Sequence, residues 1–229
     1  MNHRKPRTSN ATKSAVGLSI AATAGLALTA STTPAGASPG SSRTAHPVAI
    51  SMDMAYSHAD RMHVNQFDES FKIHEYGPSV AVAAHNRAIA ESVGCTIDAP
   101  CRSIALSYQI VTTAGRNARL INATNVSRAV NEHCTACQTF SAAYQFVVAT
   151  PRAFSLSRAS RSELDTINRR ADALKTSGLT ISQIAHQADE LAREVKEILD
   201  REAARAPRGD GGDPLADFAP TVTMYRHVR

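Results

Sequence analysis

No acidic residue precedes Asp53, and tryptophan is absent from all 229 positions. There is no phosphate-binding Walker loop and no Gly-x-Gly-x-x-Gly. These absences exclude the usual nucleotide loop and dinucleotide fold. His58, His63 and His74 lack the His-Glu-x-x-His spacing of zinc proteases. Beyond the first thirty residues no apolar run approaches the ~20 residues that a membrane-spanning helix needs. No cofactor is expected.

What the N-terminus does carry is a leader pattern. Arg4, Lys5, Arg7 and Lys13 precede an apolar, Ala-rich run from Ala15 to Ala30, followed by the small-residue site Ala35-Gly36-Ala37. Residues 1–37 therefore read as a general secretory signal peptide, with no Arg-Arg pair and no lipoprotein cysteine. Its removal takes four of the 25 basic residues and none of the 20 acidic ones, so the formal charge falls from +5 to +1. The high isoelectric point is thus partly a leader effect, and no nucleic-acid partner is expected. The expected location is secreted, extracellular, with no transmembrane segment after cleavage.

All four cysteines sit in a block that occurs twice. Arg87–Val111 reads RAIAESVGCTIDAPCRSIALSYQIV, and Arg128–Val148 reads RAVNEHCTACQTFSAAYQFVV. Arg87-Ala88-Ile89 aligns with Arg128-Ala129-Val130, Cys95 with Cys134, and Cys101 with Cys137. Tyr108-Gln109 then aligns with Tyr144-Gln145. Two copies fall short of the three or so units a solenoid requires, which predicts one pseudo-symmetric core.

Around this block the chain divides into an N-terminal extension (38–78, its first ten residues Ser/Pro/Gly/Ala-rich and disordered), a duplicated core (79–151), a helical segment (152–205) and a flexible tail (206–229). Phe71–Tyr76 alternates like a short strand and Gly77-Pro78 breaks it. Ser79 is a plausible N-cap for an Ala-rich helix to Val93, and Asn125 for one over Val126–His133. Residues 102–112 and 138–149 fit strand or helix, with a lean to strand. Ser157 or Ser160 begins a helix, and Ser160 with Glu163 forms a capping box. A second box, Thr180 with Gln183, opens another. There Ile181, Ile184, Ala188, Leu191, Val195 and Ile198 step like a coiled-coil seam. The pair should form an antiparallel helical hairpin. A protein partner or self-association through the 157–205 helices is expected if that seam is not covered by the core.

Four cysteines in an exported chain most simply make two disulfides. Of the three pairings, the local one, Cys95–Cys101 and Cys134–Cys137, is preferred over a symmetric crossing, because each copy keeps both its cysteines. Two sharper chemistries compete. Cys134-Thr135-Ala136-Cys137 is a Cys-x-x-Cys pair that a helix N-terminus or His133 would activate for redox work, although no Trp precedes it. The four thiolates, with His133 as alternative ligand, would also suit zinc, but oxidising conditions oppose that. Arg208-Gly209-Asp210 is treated as a chance tripeptide. Asn122-Ala123-Thr124 and Asn125-Val126-Ser127 are sequons expected to carry no glycan.

The stretches CRSIALSYQIV and AVNEHCTACQTFSAAYQFVVAT resemble a family of exported actinobacterial proteins in which a C-T-x-C-[QR]-T motif recurs beside Ala/Val-rich segments. Similar blocks end some membrane proteins named as peptide zinc metalloproteases. The resemblance covers roughly Ser79 to Val195. It implies an extracytoplasmic bacterial origin and a disulfide-type cysteine framework. It implies no activity, and the protease name does not transfer, since the zinc motif and the membrane helices are missing here. The first copy departs from the pattern with five residues, not two, between Cys95 and Cys101.

The expected fold is α+β, predominantly helical: a duplicated helix–Cys–strand (or helix) core followed by the hairpin. The expected role is non-enzymatic, a disulfide-stabilised protein for binding or assembly at the cell envelope. The alternative is a thiol–disulfide oxidoreductase or redox sensor using Cys134 and Cys137.

Overall fold

A computed structural model describes residues 48–209 and 211–229. The expected leader (1–37), the segment 38–47 and Asp210 of the Arg-Gly-Asp tripeptide lie outside the described residues. Among the described residues six strands come first: β1 (Val48–Ala59), β2 (Asn65–Pro78), β3 (Ala81–Val93), β4 (Cys101–Ala114), β5 (Ile121–Glu132) and β6 (Cys137–Thr150). Then follow α1 (Arg158–Ala173), a 3-10 turn (Leu174–Thr176), α2 (Ile181–Arg205) and β7 (Thr221–Val228).

Odd-numbered strands form one sheet in the order β1-β3-β5, and the rest form another in the order β2-β4-β6-β7. Every pairing is parallel except β6 with β7. The chain therefore lays one strand in each sheet per turn, and three such rungs stack into a two-sheet parallel coil. Along a strand, alternate side chains face opposite sides. Val82, Ala84, Asn86, Ala88, Ala90 and Ser92 of β3 point inward and are buried, as are Ser103, Ala105, Ser107 and Gln109 of β4. Between the sheets lies a thin layer of small residues, with Ala55, Ala88, Ala90, Ala105 and Ala143 in contact. The bulky side chains of the second sheet, Ile104, Leu106, Tyr108, Ile110, Phe140, Tyr144 and Phe146, point away from that layer into the main core against the helices.

The described residues are mostly strand, 49% against 24% helix, which overturns the predominantly helical expectation. Residues 79–93 and 126–133, expected as helices capped by Ser79 and Asn125, belong to β3 and β5. Their alanines are there because two closely spaced sheets leave room only for small inward side chains, and that tertiary demand overrides alanine's helix propensity. Coiled coil and helical hairpin likewise do not describe this fold. Ile184, Ala188, Leu191, Val195 and Ile198 are the buried stripe of α2, and they close the same core as Leu106 and Tyr108 of β4 and Tyr144 and Phe146 of β6. The two capping residues at the helix starts are Ser157, which accepts from Ser160 N, and Thr180, in a reciprocal box with Gln183.

The duplicated block turns out to be rungs two and three of three. Rung one, Val48–Pro78, fell in the expected extension. Its Phe71 stacks on Tyr108 at 5.6 Å, and Tyr108 on Tyr144 at 4.9 Å, one aromatic per rung. Beyond the second cysteine the aligned residues are direct neighbours, Tyr108 beside Tyr144 and Gln109 beside Gln145. Ahead of the first cysteine the alignment slips by two: Arg87 lies beside Val126, and Ile89 beside Arg128. A two-residue slip keeps every side chain on its own face, so the hydrophobic pattern could not reveal it. The stretch expected as a flexible tail carries β7, whose Val222, Met224 and Val228 pack on the main core.

Candidate functional site

The strand-to-strand corners stack at one end of the coil, and the cysteines are in two of them. In the second rung Gly94–Pro100 links β3 to β4. Gly94 takes φ +70°, a left-handed turn that glycine adopts without strain. Cys95 and Cys101 form a disulfide across this corner with Cα atoms 5.8 Å apart. In the third rung Cys134 and Cys137 form another, Cα atoms 5.7 Å apart, over the short turn into β6. Rung one has no cysteine, and a carboxylate does the pinning. Asp60 Oδ1 accepts from Met62 N at 2.8 Å and His63 N at 2.7 Å. Those backbone hydrogen bonds, His63 first, hold the Asp60 carboxyl below its ordinary pKa.

Adjacent corners are tied together. Arg61 Nε donates to Gly94 O at 2.6 Å, Arg102 N to Val64 O at 2.7 Å, Thr135 N to Cys95 O at 3.1 Å, and Cys101 N to Ala136 O at 3.0 Å. Cys95 and Cys101 are buried, whereas Cys134 and Cys137 are half-buried. The sulfurs of Cys95, Cys134 and Cys137 lie within 4.8 Å of one another. A cavity of about 440 Å³ opens beside Cys101 and Cys137, with Pro100, Arg102, Thr135 and Ala136 among its walls.

This geometry bears on each chemistry read from the cysteines. Cys134-x-x-Cys137 stands at the start of a strand, so no helix N-terminus lowers a thiol pKa there. His133 occupies the turn before it at φ +51°, is exposed, and is not among the groups gathered around the sulfurs. Four thiolates could surround a soft cation only after both disulfides were reduced.

Two further features were not singled out from the sequence. One is a polar ladder inside the coil. Gln145 Nε2 donates to Gln109 Oε1 at 2.7 Å, Gln109 Nε2 to Asp53 Oδ2 at 2.7 Å, and His74 Nε2 lies 2.7 Å from the same carboxylate oxygen. Asp53 was one acid among several in the expected extension, and only the rung stacking gives it partners. Among the described residues no serine, threonine or cysteine is hydrogen-bonded to His74, so the Asp53–His74 pair closes the ladder and does not form a triad.

The other is the outer face of the β1-β3-β5 sheet. Val48, Ile50, Met52, Met54 and Tyr56 alternate outward along β1, each at least 45% exposed, with Met52 at 74%. Strict alternation over Val48–Tyr56 was the available signal. The helices pack on β2, β6 and β7 instead. No helix among the described residues is long and apolar enough to cross a membrane.

No protein-family model, curated protein or solved structure matches the chain.

Proposed function

We propose that the chain is an extracytoplasmic, non-enzymatic assembly module that docks a second copy of itself through the outer face of the β1-β3-β5 sheet. The exposed row Val48, Ile50, Met52, Met54 and Tyr56 carries this reading. Contiguous apolar patches on soluble proteins mark interaction sites. Beside the row, the outward charges are Arg87 and Arg128 against Glu91 and Glu132. Such a balanced face offers no basic stripe to a polyanion, and a copy of itself meets no net repulsion.

Size fits as well. Three strands of twelve or thirteen residues at ~3.3 Å per residue and ~4.8 Å spacing make a plane of roughly 40 by 14 Å, before side-chain relief. That is on the order of the ~800 Å² each partner contributes to a standard interface. The leader pattern, the two disulfides and the resemblance to exported actinobacterial proteins support a place at the cell envelope.

Sedimentation analysis from low to high micromolar concentration tests the docking. A concentration-dependent dimer is expected, and the double substitution Met52→Lys, Met54→Lys should return it to monomer. A monomer at every concentration rejects self-docking, and a dimer unaffected by the substitutions rejects this face.

A further inference from the structure

The four cysteines are placed for two complete pairings. Val93 lies beside Glu132 in the β3–β5 register, and two residues on, Cys95 falls opposite Cys134, where Thr135 N donates to Cys95 O at 3.1 Å. Cys101 and Cys137 are direct partners in β4–β6. Strands in register lie ~4.8 Å apart, inside the ~4.4–6.8 Å Cα separation that a disulfide accepts. The same four residues can thus be bridged within corners, as they are, or between them.

The two existing bridges differ in access. Cys134 and Cys137 are half-buried, whereas Cys95 is fully buried and Cys101 nearly so; the 440 Å³ cavity borders Cys101 as well as Cys137. The sulfur of Cys95 is within 4.8 Å of both outer sulfurs. The Cys101 sulfur lies 3.3 Å from the Asp60 carbonyl oxygen, an acceptor for the proton of a thiol formed there. We infer that Cys134–Cys137 is an exchange site for an external dithiol, and that the electron pair it receives passes inward, moving the bridge from within corners to between them.

The steps balance. A thiolate of the dithiol attacks the Cys134–Cys137 bond, its second thiol resolves the mixed disulfide, and the reagent leaves as its own disulfide. The protein has then gained two electrons and two protons, as thiols on Cys134 and Cys137. The Cys134 thiolate next attacks the Cys95 sulfur. The Cys95–Cys101 bond breaks, Cys95–Cys134 forms, and the electron pair leaves on Cys101, which takes up the proton that Cys134 gave up. Exchange between neighbouring sulfurs needs no further oxidant. This inference is independent of the docking face and stands or falls separately.

Tryptic mapping reads the outcome directly, because no Lys or Arg lies between Arg87 and Arg102 or between Arg128 and Arg152. Within-corner bridges stay inside peptides 88–102 and 129–152, and the exchanged bridge joins them. Native protein is treated with one equivalent of dithiothreitol, trapped with N-ethylmaleimide at acid pH and digested. The two-electron-reduced protein should show the two peptides joined, with Cys101 and Cys137 alkylated. Alkylation at Cys134 and Cys137 with Cys95–Cys101 intact would overturn the inference, as would direct passage to four alkylated cysteines. In the Cys137→Ser variant the free thiol should be found on Cys101; a free thiol on Cys134 would equally overturn it.

Discussion

Gln109 and Gln145 stand side by side on β4 and β6, amide nitrogen to amide oxygen at 2.7 Å, while Tyr108 and Tyr144, one residue earlier, stack at 4.9 Å on the opposite side of the same sheet. One repeated dipeptide thus serves two environments, the polar layer inside the coil and the apolar core under the helices. Gln145 Nε2 is also 3.0 Å from Ala84 O, so its amide bridges both sheets. Replacing Gln145 by Leu leaves buried acceptors without a donor and should cost about 1–3 kcal/mol. Urea unfolding checks it, and an unchanged midpoint would mean that the ladder contributes nothing.

The layer between the sheets is built for small side chains. Ala88 and Ala105 are fully buried and in one cluster. Ala88→Leu should therefore destabilise by about 1–3 kcal/mol through overpacking, although leucine is the more apolar residue. Thermal denaturation of that variant beside Ala129→Leu, at a half-buried position in the same layer, separates crowding from hydrophobicity.

Glu69 on β2 supplies a pH dependence. Burial, then Asp172 on α1 and Asp68 on β2, pushes its carboxyl up to about 7, against a smaller opposing effect of Lys72. Its Oε1 is buried without a hydrogen-bond partner. A carboxyl that holds its proton more tightly folded than unfolded stabilises the fold below its ordinary value of 4.5 and loses that contribution as pH rises through about 7. Melting temperature should fall between pH 5 and pH 8 in the parent and fall less in Glu69→Gln. Identical slopes would exclude Glu69 as the source.

Asp60 holds the corner that has no disulfide, through its hydrogen bonds to Met62 N and His63 N. Asp60→Ala should open residues 60–64 to protease. Limited trypsin digestion should cut after Arg61 several-fold faster in the variant, while cleavage after Arg102, in β4, stays unchanged. Equal rates at Arg61 would show that Asp60 does not restrain the turn.

Some of this was legible in advance. The segments after each second cysteine alternate Ile104, Leu106, Tyr108 and Ile110 with smaller residues, and they are strands. Thr180 and Gln183 announce the start of α2 because a capping box is a local interaction between residues three apart. What failed was non-local. Nothing near Ala84 or Ala88 shows that a second sheet lies close above, so the alanines read as helix formers. Rung one stayed hidden because Asp60 replaces a disulfide and Phe71-Lys72 replaces Tyr-Gln, leaving no cysteine or dipeptide to align. The stripe on α2 was found, but the sequence does not say whether it faces a partner helix or a sheet. The exposed row on β1 was equally unreadable, since alternation marks two faces without naming the covered one.

The stacking in register of Tyr108 with Tyr144 and Gln109 with Gln145 has a consequence for how descendants of this chain can vary. Adding one residue inside a strand would turn every later side chain of that strand to the other face. Adding several to a corner such as 94–100 or 115–120 lengthens only a surface loop, at a cost that grows slowly with length. The corners already differ in length from rung to rung. Inherited insertions and deletions should therefore collect at the corners, with strand lengths held constant, and an alignment that permits gaps only there should reveal the third copy that an ungapped comparison misses.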